Sequence, residues 1–400
     1  MEAPAQRVPS LFMISLTQFL VGCLLFIALL NGQRDLTVLT LLVLGLAIGT
    51  RLWASKSLSG IECQSNVDKQ RLFPGETFRL EIKAENRKFL PAWLQTEIPL
   101  SGFVSPSSGE TNLVQESSLL WKQNVCLQWD LLARQRGVYQ IGPPLLRAGD
   151  LFGFFSREKK VEGILEVVVY PRLVPLKPFP LPRRDFFGIP GPKSPVTDPI
   201  YILGTRDYQH GQPAKHIHWK ASARYQRLQE KIFETTEQEK VLLAVDVEPF
   251  AKRGMRDEFE HTLEITASLA ARSERKGYAV GLMTNGTLAG GGSPLLPVTK
   301  GLRQLPAILE TLARLQMAPQ RGMMETLLRA IALPWGVSCV YFTYEEDGTA
   351  LAVEKFFRYQ KTPVVFLLSQ PQSKAGENAV KVRGKIYRTS DICLKEGPRA

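Results

Sequence analysis

The sequence predicts an α+β multidomain chain: a helical pair first, then an all-β domain, then an α/β domain built on a mostly parallel sheet. Three observations predict it. Leu11–Leu30 is a charge-free apolar run of helix length; apolar and polar residues alternate from about Ile61 to Pro171; and beyond Lys240 short apolar runs alternate with amphipathic helical stretches.

Leu11–Leu30 has the length that a membrane-crossing helix needs. A signal peptide has a shorter apolar region and a small-x-small cleavage site after it. Asn31–Asp35 is a polar turn, and Leu36–Leu52 is a second apolar run broken only by Arg51, which can snorkel to the headgroups. Residues 1–56 therefore read as a transmembrane hairpin, with helices at about 11–30 and 36–53. Arg7 precedes the hairpin and Arg51 and Lys56 follow it, while Arg34 in the turn is balanced by Asp35. The positive-inside rule puts both ends, and the soluble mass, on the cytoplasmic side, with membrane lipid as the first partner.

Residues 57–171 carry the period of two. Leu80, Ile82 and Ala84 alternate with Glu81, Lys83 and Glu85, and Val125, Leu127, Trp129 and Leu131 with Cys126, Gln128 and Asp130. Pro74-Gly75, Asn86 and Gly142-Pro143 are turn signals between the runs, and Val167–Tyr170 is the last of them. Short alternating strands without helices predict a β-sandwich of the immunoglobulin-like kind. The glycines and aromatics of Gln135–Pro143 and Asp150–Phe155 read as turn and core chemistry. Residues 172–200 are a proline-rich linker, since prolines at 175, 178, 180, 182, 190, 192, 195 and 199 forbid a helix or a central strand.

Residues 201–400 hold the alternating elements. Strands are expected at Val241–Val247, Tyr278–Met283, Ser338–Thr343 and Pro363–Leu368. Helices are expected at Glu258–Arg272, Leu305–Met317, Met323–Leu333 and near Leu351–Tyr359, the first presenting Phe259, Leu263, Ala267 and Ala270 on one face. Such alternation gives a parallel sheet covered on both sides.

The net charge of +12 permits anionic lipid, nucleic acid or acidic protein as partner, but it is spread along the chain without a basic tail. Cys23, Cys63, Cys126, Cys339 and Cys393 show no CxxC or Cys/His ligand spacing, the usage of a reducing compartment. Cys63 and Cys126 share the β domain and could pair if it faced outward. There is no GxxxxGK[ST], GxSxG or HExxH, and Gly290-Gly291-Gly292 lacks the Lys-Ser/Thr of a phosphate loop. The expectation is a chain with no catalytic residues and no cofactor.

Ile202–Phe233 is the stretch around which the chain is organised. It sets Arg206, Lys215, Lys220, Arg224, Arg227 and Lys231 against Asp207 and Glu230, and interleaves Tyr208, Trp219 and Tyr225. It also holds His210, His216 and His218, with Gly211 and Pro213 marking a turn. A His-x-His on a strand would point two imidazoles to one face, as zinc requires, but no cysteine or placed acid completes a tetrahedral set and the surrounding cations repel a metal. The basic and aromatic mix could grip phosphates, yet no RNA-binding signature accompanies it, so no nucleic acid is expected. Arg and Trp are the residue types that dominate protein docking surfaces. The bland reading is structural: a buried Trp219, with Arg and Asp pairing across a domain junction.

Arg206, Tyr208, Gly211, Ile217, Trp219, Lys220, Ser222, Ala223 and Arg224 follow an Arg-x-Tyr…Gly-Asp…Ile-x-Trp-Lys-x-Ser-Ala-Arg pattern. In this the chain resembles the bacterial domain-of-unknown-function 58 family, with Gln212 where the family has an acid. Gln135–Pro143 and Asp150–Phe155 extend the resemblance, with Leu151 in place of a proline. The resemblance implies a von Willebrand A-like fold for residues 201–400. Such domains often bind a divalent cation through Asp-x-Ser-x-Ser at the first strand's end. Here Asp246 holds the first position, and Glu248 and Phe250 the serine positions, leaving Asp246 and Glu248 as metal candidates in a degenerate site or, the favoured reading, as structural residues. The resemblance further implies a MoxR-type AAA+ ATPase as partner at the bacterial cytoplasmic membrane. The chain is then a non-enzymatic adaptor or assembly protein, with Arg206, Asp207, Tyr208, Trp219, Lys220 and Arg224 as partner or interdomain contacts. The alternative is a cell-envelope hydrolase or transferase using Asp207 and nearby histidines.

Overall fold

The computed structural model describes residues 11–89, 91–100, 104–106, 112–149, 156–161, 163–178, 197–209, 213–235, 239–329, 336–370 and 384–393, and the chain divides into two compact units, Met1–Tyr170 and Pro171–Ala400.

The first unit begins with helices α1 (Leu11–Leu30) and α2 (Arg34–Ser57), packed against each other. Phe19, Phe26, Leu29, Leu39, Leu42 and Leu52 are exposed, whereas the Thr40 and Thr50 hydroxyls donate to carbonyls of their own helix. Among the described residues α2 is long and apolar enough to cross a membrane, and the part of α1 whose side chains are described, Gln18–Leu30, is a shorter apolar helix. The α2 helix extends beyond the expected 36–53 at both ends.

The strands that follow are β1 (Ile61–Val67), β2 (Arg71–Leu72), β3 (Thr77–Asn86), β4 (Ala92–Pro99), β5 (Val104–Pro106), β6 (Asn112–Leu119), β7 (Asn124–Ala133), β8 (Gly137–Ile141), β9 (Leu145–Gly149), β10 (Ser156–Lys160) and β11 (Leu165–Val169). They form sheets in the orders β1-β3-β7-β5, β10-β9-β4-β6 and β2-β11-β8. Along β3 every second residue is buried, so Phe78, Leu80, Ile82 and Ala84 enter the interior while Arg79, Lys83 and Glu85 face out. Each large apolar side chain so buried contributes roughly 1.5–3 kcal/mol. Ala84 of one sheet and Leu94, Leu119 and Leu146 of another share a core, so the period of two is read out as sheet packed on sheet.

In the Gln135–Pro143 segment the Tyr139 hydroxyl donates to the carbonyls of Gln135 at 2.9 Å and Arg136 at 3.1 Å. Gly137 has φ +152°, and a Cβ there would meet the Tyr139 hydroxyl at 3.1 Å. This motif is turn and core chemistry; Asp150–Phe155 lies outside the described residues. All five cysteines are free, so the Cys63–Cys126 pairing left open by the sequence is not formed. Cys126 Sγ instead lies 2.7 Å from Glu81 Oε1, and burial pushes the Cys63 thiol up to about 11.

In the second unit, residues at the start of the expected proline-rich linker are packed: Lys177 N–H donates to the Ile392 carbonyl at 2.8 Å, Val174 N–H to Ser268 Oγ at 2.8 Å, and Arg272 to the Lys177 carbonyl at 2.9 Å. Proline blocks helix and central strand but not extended chain whose remaining N–H groups find partners elsewhere. Strand β12 (Thr197–Asp207) also begins inside the expected linker, and residues 179–196 lie outside the described ones.

After β12 come α3 (Trp219–Tyr225), β13 (Gln229–Thr235), β14 (Lys240–Val245), α4 (Glu248–Arg253), α5 (Arg256–Arg275), β15 (Ala279–Thr284), β16 (Gly286–Leu288), β17 (Leu295–Thr299), α6 (Gln304–Arg314), β18 (Leu315–Pro319), α7 (Met323–Arg329), β19 (Val337–Thr343), α8 (Gly348–Tyr359), β20 (Val364–Leu368), β21 (Lys385–Arg388) and α9 (Thr389–Ile392). The central sheet runs β17-β15-β14-β19-β20-β21, parallel except for the edge strand β17. Leu242, Tyr341 and Phe366 of that sheet share a core with Val353 and Phe357 of α8, while Phe259, Leu263, Ala267 and Ala270 of α5 are buried as the periodicity requires.

The helix expected over Leu305–Met317 stops at Arg314. Leu315–Pro319 pairs with Gly286–Leu288 instead, a long-range pairing that overrides the apolar helical register. Helix α4 was not legible as helix, although Pro249 near its start suits that position. Chain order reverses across β14, which has β15 on one side and β19 on the other. The carboxyl ends of β14 and β19 therefore form the switch point of the sheet.

Candidate functional site

The β12–β13 hairpin carries the signature stretch. Its register sets Arg206 opposite Glu230 and Asp207 opposite Gln229. Between the strands, Ala214–His216 makes one 3₁₀ turn and α3 follows. His218 caps α3, its Nδ1 accepting from Ala221 N–H at 3.1 Å, and Gln226 ends the helix in the left-handed region at φ +54°. Ser222 is buried and bonds α3 to β13: its Oγ accepts from Gln229 N–H at 2.9 Å and donates to the His218 carbonyl at 3.1 Å. Ile217 is buried too and bridges to Glu230.

The signature thus splits in two. Ile217 and Ser222 hold the segment onto the hairpin, while Trp219 at 68% exposure, Lys220, Ala223 and Arg224 face solvent. Lys220 and Arg224, four apart, share a helix face. Tyr225 is also exposed, and Tyr208 N–H bonds to the Leu228 carbonyl at 2.9 Å. The reading of a buried Trp219 is overturned, because α3 has one inward face and Ser222 occupies it.

Glu230 is 3% exposed and accepts from Arg206 Nε; among the described residues its Oε2 has no hydrogen-bond partner. Asp207 accepts from Gln229 Nε2 and pairs with Arg227 at 3.0 Å, both sides of that pair well exposed. The Arg and Asp pairs therefore close within the hairpin. His216 and His218 are not on a strand, so the geometry assumed for a His-x-His metal pair is absent, and His210 lies outside the described residues. Among the described residues no group of three or more His, Cys, Asp and Glu is placed to hold a metal ion.

At the carboxyl edge of the sheet, Asp246 is fully buried. Its Oδ1 accepts from Asn285 Nδ2 at 2.8 Å and Glu248 N–H at 3.1 Å, and its Oδ2 from the Tyr341 hydroxyl at 2.5 Å. Asn285 Oδ1 accepts from Val247 N–H at 2.8 Å, closing the network. Burial raises the Asp246 carboxyl above its ordinary range against the pull of Tyr341 and Asn285, and burial with the Asp246 charge raises Tyr341. Phe250 is buried against Phe259 and Tyr344, with ring centroids 5.6 and 5.7 Å away. Glu248 turns to Lys252 at 2.7 Å. The two metal candidates are thus apart in role: one knots three segments of chain, the other pairs on a helix surface.

Sequence reading missed Asn285 and Tyr341, which stand 39 and 95 residues from Asp246. It also missed a cluster on α5, where His261 Nε2 lies 3.6 Å from Cys393 Sγ and Nδ1 3.4 Å from Glu264 Oε2. These contacts, Cys393 first, raise the imidazole to about 10. The i,i+3 spacing of His261 and Glu264 was visible; Cys393, 132 residues on, was not.

Among proteins of known sequence, an uncharacterized protein of Bacillus subtilis (strain 168), YeaD, is 24% identical over 268 residues. The match covers 66% of this chain and 64% of that relative, so the chain spans less than two thirds of its length. A Salmonella alpha-2-macroglobulin mutant is 16% identical over 31% of this chain and 8% of its own, with a TM-score of 0.22. A FixG-related protein from Vibrio parahaemolyticus is 12% identical over 28% of this chain and 98% of its own, with a TM-score of 0.20. At these scores neither structure bears on the fold. The capped helix, the exposed tryptophan and the buried aspartate all fall within residues 204–332, the segment that matches the family described as protein of unknown function DUF58.

Proposed function

We propose that this chain is a membrane-anchored, non-enzymatic adaptor or assembly protein that works with a MoxR-type AAA+ ATPase at the bacterial cytoplasmic membrane. In this reading α1 and α2 form the transmembrane hairpin, the first unit is an immunoglobulin-like sandwich, the second a von Willebrand A-like domain, and both face the cytoplasm. The observation that carries it is Trp219, an aromatic held out in water beside Lys220 and Arg224 on a segment that Ile217 and Ser222 fix to the hairpin. Folding gains nothing from that exposure, while a protein partner gains an aromatic anchor flanked by cations. The nucleotide-hydrolysing step belongs to the partner. Asp207 and His218, the residues of the hydrolase alternative, make their hydrogen bonds with Gln229 and Ala221. Nothing favours that alternative over the adaptor.

The test is capture of an AAA+ ATPase by the full chain from detergent-solubilised membranes. Truncating Trp219→Ala with Arg224→Glu is expected to lower co-purifying ATPase at least about tenfold. Undiminished capture, or a substrate turned over by the purified chain alone, overturns the proposal.

A further inference from the structure

The base of α2 is fixed to the first unit at several points. Trp53 Nε1 donates to the Pro91 carbonyl at 3.0 Å and Ser57 Oγ to the Ala148 carbonyl at 3.2 Å. Lys88 Nζ reaches the carbonyls of Lys56, at 2.6 Å, and Ser57, placing a cation at the carboxyl end of the helix. These bonds tie the base of α2 to the strands and connections around it.

Strand register brings two further loops to this end. Ile61 pairs with Asn86, Glu85 with Asn124 and Ala92 with Leu119, so the β3–β4 and β6–β7 connections lie beside the helix base. They are bonded to each other: Asn86 Nδ2 donates to the Leu120 carbonyl at 2.9 Å, Asn86 N–H to the Gln123 carbonyl at 2.9 Å, and Lys122 N–H to the Lys88 carbonyl at 3.3 Å. On these tips Phe89, Leu120 and Trp121 are 75%, 50% and 60% exposed, and Lys122 Nζ sits 5.0 Å over the Phe89 ring. Two neighbouring turns that together expose Phe, Leu and Trp at their tips are costly to leave in water.

Height along the helix says what covers it. Arg51 is the first charge after the α2 apolar run, and Lys56 is five residues on, so about 8 Å higher along the axis. The headgroup zone above each face of the hydrocarbon core is roughly 5–8 Å deep. We propose that Phe89, Leu120 and Trp121, with Lys56 and Lys122, form a second membrane contact that seats the first unit in the lipid–water interface. This rests on the reading that α2 spans the membrane. Aromatic rings at headgroup level with cations beside anionic phosphates are what that zone favours. A seated sandwich has a set tilt, so the bilayer becomes part of the rigid support of the first unit.

The experiment uses the full chain reconstituted in phosphatidylcholine–phosphatidylglycerol vesicles carrying lipid brominated high on the acyl chain. Trp53 and Trp121 are then the interfacial tryptophans, and W121F is expected to remove about half of the bromine-quenched emission. F89W is expected to add quenched emission, a gain that misfolding does not imitate. If both variants give wild-type quenching while the chain stays with the vesicles after a carbonate wash, the inference is overturned, also where cross-linking shows a second copy over the patch. If carbonate strips the wild-type chain from the vesicles, the membrane-spanning reading fails first and takes the inference with it.

Discussion

The carboxyl edge of the central sheet and the β12–β13 hairpin hold much the same chemistry and use it in opposite ways. Both place an aspartate next to an amide donor: Asp246 with Asn285, Asp207 with Gln229. At the sheet edge the carboxylate is fully buried and both its oxygens are engaged, so its hydrogen bonds tie β14, β19 and the Thr284–Gly286 turn together. At the hairpin the carboxylate shares solvent with Arg227, and the nearby aromatic Trp219 points outward. Burial, more than residue type, decides which aspartate is structural.

The largest expected break in this contrast is Asp246→Ala. It leaves the Tyr341 hydroxyl and the Asn285 amide buried without acceptors, which costs about 3 kcal/mol or more. Asp207→Ala removes an exposed ion pair of no more than about 1 kcal/mol and the acceptor of one buried amide, that of Gln229, so its cost stays below that of Asp246→Ala, which strips two buried donors. Urea unfolding of both variants measures the gap, and equal losses would show that the edge network is not the keystone described here.

A smaller effect sharpens the contrast inside the hairpin itself. Arg206→Ala leaves the Glu230 carboxylate buried and unpaired, at about 1–3 kcal/mol. Glu230→Gln leaves an exposed guanidinium that water solvates, at under about 1 kcal/mol. The order of the two midpoints is the readout; the reverse order would mean that Glu230 is hydrated.

The last effect depends on pH, and solvent at the part-exposed imidazole screens it. His261 has its folded-state value raised from 6.5 to about 10 by Cys393 and Glu264. A raised value means that the folded chain holds the proton more tightly. The stabilisation is therefore complete below about 6.5 and fades as pH climbs through about 10. The stability difference between wild type and His261→Gln is expected to shrink across that window, and a constant difference would mean that the imidazole does not titrate in its present contacts.

Much of this was legible in one dimension because it is local. Alternation along Leu80–Glu85 set the inward face of β3, and the apolar runs of β14 and β19 gave a buried sheet whatever the rest of the chain did. Ser222 and Ile217 were part of a motif read from sequence, but that motif could not say that they face inward while Trp219 faces out. That split depends on which side of α3 meets β13. The packed portion of the expected linker shows the same limit, since Leu176 bridges to Cys393 far along the chain.

By itself the sequence determined the order of the parts: apolar helices, alternating strands, a basic and aromatic stretch, then strands interleaved with helices. It could do so because hydrophobic period is a property of neighbours in the chain. Only the tertiary structure decided that Asp246 answers to Tyr341 and Asn285, that His261 meets Cys393, and that two distant loops gather around the foot of α2. Those choices are made by long-range contacts, whose partners and burial no local pattern encodes.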